Sequence, residues 1–128
     1  MKKLLIVDDH STIRKMLRLA LGGYFALEEF ADADSANEHL VTSRPDGIVL
    51  DVMMPGSMNG IQLCERIKRD PTLAPIHVVL ITACSQIEDQ ELGRAVGADA
   101  YFVKPFSPLA LLRHLREALP SGPCGEAA

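Results

Sequence analysis

The chain has 128 residues, of which 48% are apolar and 23% are charged, and its formal net charge is −4; this length and composition predict one globular domain with a core of its own. An acidic chain without a block of Lys and Arg argues against direct nucleic-acid binding, and no apolar run approaches the roughly twenty residues that a membrane span needs. The three cysteines fit neither a disulfide framework nor a zinc site, so we expect a cytoplasmic protein.

Apolar runs and helical periodicity alternate along the first half of the chain. A buried strand is predicted where apolar residues are continuous, and a helix where they recur every three or four positions. Ser11 or Thr12 is the expected cap of the first helix, because hydroxyl oxygens accept bonds from free helix N–H groups. In chain order, the patterns predict strand 3–7, a helix ending at residue 21, strand 26–30, helix 34–42, strand 47–51 and helix 60–69.

The second half of the chain continues the alternation. Residues 75–82 have the strongest strand pattern, because they are rich in β-branched residues. The helix predicted at 86–96 has the weakest apolar stripe, and the stretch 97–108 contains a fifth strand, followed by a last helix with a leucine-rich face. The Pro/Gly-rich residues 120–128 predict a flexible tail or the start of a linker, which leaves residues 1–119 as the domain.

Five βα units with short connections predict an α/β fold, in which a parallel sheet carries helices on both faces. In such sheets ligands bind beyond the carboxyl ends of the strands. Polar residues that end the predicted strands should therefore meet at one edge of the sheet. These residues are Asp8, Asp9, Asp51, Thr82 and Lys104.

Three carboxylates at one edge of a sheet need a nearby cation if all of them are to remain ionised. Two carboxylates about 4 Å apart repel by roughly 4 kcal/mol at an effective dielectric constant near 20. The cluster therefore predicts a divalent ion with oxygen ligands, usually Mg²⁺, and Lys104 neutralises part of the same charge. A divalent ion, an ammonium group and a hydroxyl directed at one point predict a site that stabilises a phosphoryl group, with one carboxylate as the nucleophile.

The motifs VDDH at 7–10, LDVMMPG at 50–56, ITA at 81–83 and KPF at 104–106 resemble those of receiver domains of response regulators, the CheY-like superfamily of two-component signalling. The resemblance covers residues 3 to about 119. It implies a doubly wound, flavodoxin-like (βα)5 fold with strand order 2-1-3-4-5. It also implies a signalling domain rather than an enzyme, one that takes a phosphoryl group from a sensor histidine kinase or a histidine phosphotransfer protein.

The resemblance assigns roles to the matching residues. It implies that Asp51 accepts the phosphoryl group. It implies that Asp9, Asp51 and the backbone carbonyl of Met53 bind Mg²⁺, for which Mn²⁺ can substitute, and that Asp8 acts through a metal-bound water. Thr82 and Lys104 would bind the phosphoryl oxygens.

A switch is implied by the same resemblance. Tyr101 would change rotamer together with Thr82, and the peptide bond between Lys104 and Pro105 would be cis. The helix predicted at 86–96, the fifth strand and the last helix would then form the surface that changes. We expect that surface to control an unidentified partner or a fused output domain, with the chain as a monomer or as a homodimer that depends on phosphorylation.

Simpler interpretations exist for the single residues. Asp8 and Asp9 fit helix capping, where carboxylates favour the positive end of the dipole. Thr82 fits an ordinary strand end, and Tyr101 fits the core. His10 fits a helix-start residue, with tuning of metal binding by pH as its alternative role.

Two other functions compete with the signalling module. A phosphatase or phosphotransferase with an aspartyl-phosphate intermediate needs a cap domain and a general acid, whereas Met53, two residues after Asp51, donates no proton. A purely structural interaction domain leaves the acidic residues and Lys104 unexplained. Because Met53 and Cys84 flank the expected path of an attacking water and orient it poorly, we also predict slow loss of the phosphoryl group.

Overall fold

A computed structural model describes residues 1–54, 56–83, 91 and 94–119. These residues form five strands and four helices, in the predicted alternation. The helix predicted at 86–96 falls mainly outside the described residues, and Cys84 and the tail 120–128 lie wholly outside them. The strands are β1 Lys3–Val7, β2 Ala26–Phe30, β3 Gly47–Asp51, β4 His77–Thr82 and β5 Ala100–Val103. The helices are α1 Ser11–Leu21, α2 Ala33–Thr42, α3 Gly60–Arg69 and α4 Pro108–Ala118.

The five strands form one parallel sheet in the order β2-β1-β3-β4-β5, which confirms the expected doubly wound topology. The three central strands are buried nearly throughout, whereas β2 and β5 lie at the edges and are partly exposed. This difference explains the sequence pattern, because a strand covered on both faces needs a continuous apolar run. None of the helices in the described part of the chain has both the length and the apolar character that crossing a membrane requires.

The core has two layers, because successive side chains of a strand point to opposite faces of the sheet. One layer packs against α2 and α3, and the other packs against α1 and α4. The first layer contains the buried strand residues Leu5, Val7, Ile48, Leu50, Val78 and Leu80 together with Leu63, Cys64 and Ile67 of α3. The second contains Leu4, Ile6, Val49, Val79 and Ile81 together with Leu17 and Leu21 of α1 and Leu111 and Leu115 of α4.

Three predicted boundaries are wrong. Helix α2 begins at Ala33 rather than at residue 34, because Asp32 is its N-cap and accepts from the backbone N–H of Ser35 at 2.7 Å. The N-cap of α1 is His10 rather than Ser11 or Thr12, and it makes no side-chain capping bond; Asp8 Oδ1 instead accepts from the backbone N–H of His10 at 2.8 Å, which turns the chain one residue earlier. Strand β4 begins at His77 rather than at residue 75, because the N–H of Ile76 donates to Leu73 O at 2.9 Å and so closes the preceding turn.

Candidate functional site

Carboxylates and an ammonium group meet at the carboxyl ends of β1, β3 and β5. Asp51 ends β3, Asp8 directly follows β1, and Lys104 directly follows β5. The Nζ atom of Lys104 lies 3.5 Å from Asp51 Oδ2 and 3.6 Å from Asp8 Oδ2. The structure therefore brings together three of the residues that the sequence predicted to meet, although they are far apart along the chain.

Burial controls the charge of this cluster. Asp8 and Asp51 are each only 2% exposed. Burial raises the pKa of Asp51 to about 6, and the negative charge of Asp8 adds to that effect. Lys104 and the backbone N–H of Met53 oppose the rise, but they do not cancel it. A carboxylate with a raised pKa binds protons and other electrophiles more strongly than an ordinary one.

The acidic cluster has the donor set of a cation site. One potential ligand atom from each of Asp8, Asp9, His10 and Asp51 lies within 4.8 Å of all the others. Among the described residues, no donor forms a hydrogen bond to the buried atoms Asp9 Oδ1 and Asp51 Oδ2, although the His10 ring lies 3.2 Å from the first and the Lys104 ammonium 3.5 Å from the second. Buried carboxylate oxygens without hydrogen bonds are rare, and a hard divalent cation would satisfy both of them.

The backbone around Asp51 is held from two sides. The N–H of Val52 donates to Ile81 O at 2.8 Å, and the N–H of Met53 donates to Asp51 Oδ1 at 3.3 Å. These bonds orient Oδ1 toward the loop and leave Oδ2 facing the cluster. The side chain of Met53 is 68% exposed, at the mouth of the site.

Gly60, the first residue of α3, packs directly against the end of β3. A Cβ atom at this position would overlap the carbonyl oxygen of Asp51, so only glycine lets the helix begin here. Asn59 and Gln62 form a capping box that fixes the start of the helix. The sequence predicted Gly60 as the first residue of a helix, and its contact with the Asp51 carbonyl oxygen was missed because nothing local signals it.

A second contact that the sequence did not predict holds the loop after β3. Asp34 in α2 accepts from Ser57 Oγ at 2.7 Å and from the backbone N–H of Ser57 at 3.2 Å. Gly56 has a φ of 110°, a conformation that glycine adopts without strain. The side of the site is therefore closed by a loop that is fastened to a neighbouring helix.

The residues expected to act as a switch lie on the two strands at the β5 edge. Thr82 ends β4 and is 1% exposed, and its backbone O accepts from the N–H of Lys104 at 2.7 Å. Tyr101 is half-buried, lies beside Leu80 in the register of the sheet, and packs against the core layer of α2 and α3. The Lys104–Pro105 peptide bond is cis, which confirms that expectation.

His10 belongs to the cluster as well as to the start of α1. Its Nδ1 atom lies 3.1 Å from Asp8 Oδ1, 3.2 Å from Asp9 Oδ1 and 4.0 Å from Asp51 Oδ2. The sequence predicted His10 mainly as a residue at the start of a helix. Its place directly after two aspartates was the signal that it also belongs to the acidic cluster. Arg14, one turn into α1, was not predicted at all; its Nη1 donates to the carbonyl oxygen of Asp8 at 2.6 Å.

Comparisons with known proteins agree with this geometry. The model of a family described as the response regulator receiver domain matches residues 4–116. The phosphate regulon transcriptional regulatory protein PhoB of Pseudomonas aeruginosa is 41% identical over 120 residues, which are 92% of this chain and 52% of that protein. The chain thus spans about half the length of the curated relatives that it matches.

Solved structures agree in fold. DrrB of Thermotoga maritima, described as a homologue of OmpR and PhoB, matches with a TM-score of 0.85 and 30% identity, over 93% of this chain and 52% of that one. The chemotaxis protein CheY4 of Vibrio cholerae matches with a TM-score of 0.84 and 32% identity, over 93% of this chain and 99% of that one. From its motifs, its sheet and these matches, the chain belongs to the family of response regulator receiver domains.

Proposed function

We propose that this receiver domain accepts a phosphoryl group on Asp51 from a sensor histidine kinase or a histidine phosphotransfer protein, and that it passes the signal on through a change of its surface. The observation that carries this proposal is the environment of the carboxylate oxygen Asp51 Oδ2. This atom is buried and accepts no hydrogen bond from the described residues, yet it lies 3.5 Å from the Lys104 ammonium. The atom thus has lone pairs that are not engaged in hydrogen bonds and can attack an electrophile, and it lies beside a cation that offsets the added charge.

The transfer needs little from the chain beyond placement and charge. The ionised Asp51 oxygen attacks phosphorus and forms a P–O bond, while the P–N bond of the donor phosphohistidine breaks. The released imidazole keeps the electron pair of that bond and takes a proton from solvent. The bond from Met53 N–H to Oδ1 orients the nucleophile, and near-neutral pH keeps most of the carboxyl ionised because its pKa is about 6.

The chain's oxygen atoms would hold the metal ion on which the transfer depends. The carboxylates of Asp9 and Asp51 and the backbone carbonyl of Met53 would bind Mg²⁺ or Mn²⁺ directly, and Asp8 would act through a water. When bound, the ion would offset the charge of the carboxylates and of the phosphoryl oxygens. The two unbonded carboxylate oxygens of the cluster support this assignment.

Lys104 and Thr82 would bind the phosphoryl group after transfer. Lys104 Nζ already lies between Asp8 and Asp51, so it can move onto the new oxygens without a large rearrangement. Because Thr82 O accepts from the Lys104 N–H, a shift of either residue is coupled to the other. Tyr101, on the adjoining strand, would then change rotamer with Thr82.

The setting of this domain is part of the proposal. Residues 1–119 would form the receiver, with 120–128 as a tail or linker, and the protein would act in the cytoplasm on a partner or a fused output domain. The names of the relatives are those of transcriptional regulatory proteins, and nothing favours the alternative of an aspartyl-phosphate phosphatase.

The acceptor is tested by intact-mass spectrometry after incubation with acetyl phosphate. The parent chain should gain one phosphoryl group with Mg²⁺ or Mn²⁺ and none with EDTA, and Asp51→Asn should gain none. Asp70→Asn, which changes a partly exposed carboxylate at the far end of α3, is the matched control and should be labelled like the parent. Undiminished labelling of Asp51→Asn would refute the assignment.

A further inference from the structure

His10 adds a nitrogen atom to an otherwise all-oxygen cluster. Its backbone is fixed against the site, because the His10 N–H donates to Asp8 Oδ1 at 2.8 Å. Its ring nitrogen Nδ1 lies 3.1 Å and 3.2 Å from one oxygen each of Asp8 and Asp9. The ring itself is 57% exposed, so solvent and ions reach this side of the cluster.

The distances from His10 Nδ1 to the carboxylates match those between ligands of a single ion. Bonds of about 2.0–2.1 Å place neighbouring octahedral ligands roughly 3 Å apart and opposite ligands roughly 4 Å apart. His10 Nδ1 lies 3.1 Å and 3.2 Å from the first two carboxylates and 4.0 Å from Asp51 Oδ2. Nδ1 is at hydrogen-bond distance from Asp8 Oδ1, at 3.1 Å, but one ring nitrogen cannot hydrogen-bond all three carboxylates, whereas an ion among them would contact all four groups.

An independent observation points to a ligand at this place. The carboxyl group of Asp51 is 2% exposed, and its Oδ2 atom accepts no hydrogen bond from the described residues. This atom faces the same space as His10 Nδ1, at 4.0 Å. The cluster therefore differs from a group of exposed acidic side chains, because it contains a buried carboxylate oxygen that needs a partner.

We propose that His10 Nδ1 is a metal ligand, and that it makes this cluster select Ni²⁺ and Zn²⁺ over Mg²⁺. Carboxylate, carbonyl and water oxygens suit Mg²⁺, whereas imidazole nitrogen suits Ni²⁺ and Zn²⁺. The inference rests on the proposed function in one respect, since the same carboxylates would hold the Mg²⁺ used in phosphoryl transfer. It follows that Ni²⁺ and Zn²⁺ compete with Mg²⁺ for the acceptor site.

Calorimetric titration of the metal-free chain with Ni²⁺, Zn²⁺ and Mg²⁺ at one pH tests the selectivity. The ratio of the Mg²⁺ to the Ni²⁺ dissociation constant should fall by at least about tenfold in His10→Ala and His10→Asn. Both variants should fold, because the His10 side chain makes no capping bond. His114→Gln is the control, since the Nε2 atoms of His77 and His114 lie 2.9 Å apart and this variant removes one of these two imidazoles, remote from the acidic cluster; it should keep the parent ratio.

Side-chain nitrogen NMR with Zn²⁺ identifies the ligand atom. Zn²⁺ should shift the Nδ1 resonance of His10 and leave its Nε2 resonance nearly unchanged. An unchanged ratio in His10→Ala, tighter binding of every ion in that variant, or a Zn²⁺ shift confined to His77 and His114 would each overturn the proposal. Failure of Asp51 to take up phosphate with Mg²⁺ would instead count against the proposed function, because the His10 tests measure binding alone.

Discussion

Asp51 carries its negative charge where water does not reach it. It is 2% exposed, with Asp8 beside it and one ammonium group 3.5 Å away. Its pKa of about 6 expresses the cost of that charge. This unfavourable charge lowers the free energy of unfolding. It also strengthens the interaction of the site with a cation or an electrophile.

We predict that Asp51→Asn has a larger free energy of unfolding than the parent in EDTA at pH 7.5. At pH 5 the difference between the two proteins should be smaller by about 1 kcal/mol. The pKa of Asp51 is about 6 in the fold and near 3.8 without the fold's influence. Between these values the folded chain binds more protons than the unfolded chain. The stabilisation from protonation is therefore fully present below the unfolded value and is lost as the pH rises through about 6.

Urea unfolding of both proteins at the two pH values measures this difference. Asp70→Asn serves as the control, because Thr72 holds the pKa of Asp70 below its ordinary value and the sign is opposite. A gap between Asp51→Asn and the parent that stays constant over this pH range would show that Asp51 is not strained by its charge.

The side chain of Met53 should set how long the phosphoryl group lasts. It stands two residues after Asp51 and is 68% exposed at the mouth of the site. A thioether orients water poorly, so Met53→Asn should shorten the half-life of phosphorylated Asp51 by about tenfold. Loss of label is followed by intact mass, with Met53→Leu as the apolar control. Equal half-lives of Met53→Asn and Met53→Leu would mean that another group controls the water, and Cys84, changed to Glu, is the next to test.

At the scale of elements, the side chains of the site lie at the ends of strands, and contacts with helices hold these strand ends in position. Gly60 sets α3 directly on the carbonyl oxygen of Asp51, and Asp34 of α2 fastens the loop between them through Ser57. Arg14 of α1 donates to the carbonyl oxygen of Asp8. The backbone carbonyls of Asp51 and Asp8 are thus each in direct contact with a helix.

At the opposite end of the sheet from the site, Lys68 of α3 holds the starts of two strands in a similar way. Its Nζ donates to Ala74 O at 2.9 Å and to Ile76 O at 2.6 Å, and it lies 2.8 Å from Asp99 Oδ2. Asp99 in turn accepts from the N–H of Val78 at 2.8 Å. One ammonium group therefore joins the end of α3 to the beginnings of β4 and β5.

We predict that Lys68→Met lowers the free energy of unfolding by about 2–4 kcal/mol, because two carbonyls and a carboxylate lose their cationic donor while only 16% of the Lys68 side chain is exposed. Urea unfolding provides the measurement. Lys15→Met, at an exposed position of α1, is the control and should unfold like the parent. A loss no larger than that of the control would show that these contacts contribute nothing net.

At the scale of the molecule, the site and the expected output surface share the β5 edge of the sheet. The bond from Lys104 N–H to Thr82 O, at 2.7 Å, connects the site to this edge. Phe102 of β5 also contacts His114 of α4, with ring centroids 5.8 Å apart. A ligand that draws Lys104 and Thr82 together therefore acts on β5 and α4 before it acts on β2.

Beryllofluoride, a mimic of the phosphoryl group, should change amide exchange in β5 and α4 and leave β2 unaffected, because the bond from Lys104 N–H to Thr82 O lies at the β5 edge of the sheet and β2 forms the opposite edge. Mass-spectrometric exchange with and without beryllofluoride measures the change. Lys104→Ala should still bind the metal and lose the response. Exchange differences confined to α1, or a full response in Lys104→Ala, would contradict this route.

The order of the elements and the polar residues at the ends of the strands were predictable from the sequence alone. The central strands β1, β3 and β4 are covered on both faces, so their continuous apolar runs stand out locally, and the helices show the period of their buried face. The topological rule for parallel sheets then brings Asp8, Asp51 and Lys104 to one edge. These predictions succeeded because each depends on neighbouring residues and one general rule.

Only the tertiary structure decided how closely these groups approach. The packing of Gly60 on Asp51, the bonds from Ser57 to Asp34 and the position of His10 among three carboxylates are contacts between side chains and backbone from separate segments. The pKa of Asp51 depends on the burial and charge that these segments create together. Such energies vary steeply with distance, and distances between remote segments are set by the packing of the whole core rather than by any local pattern.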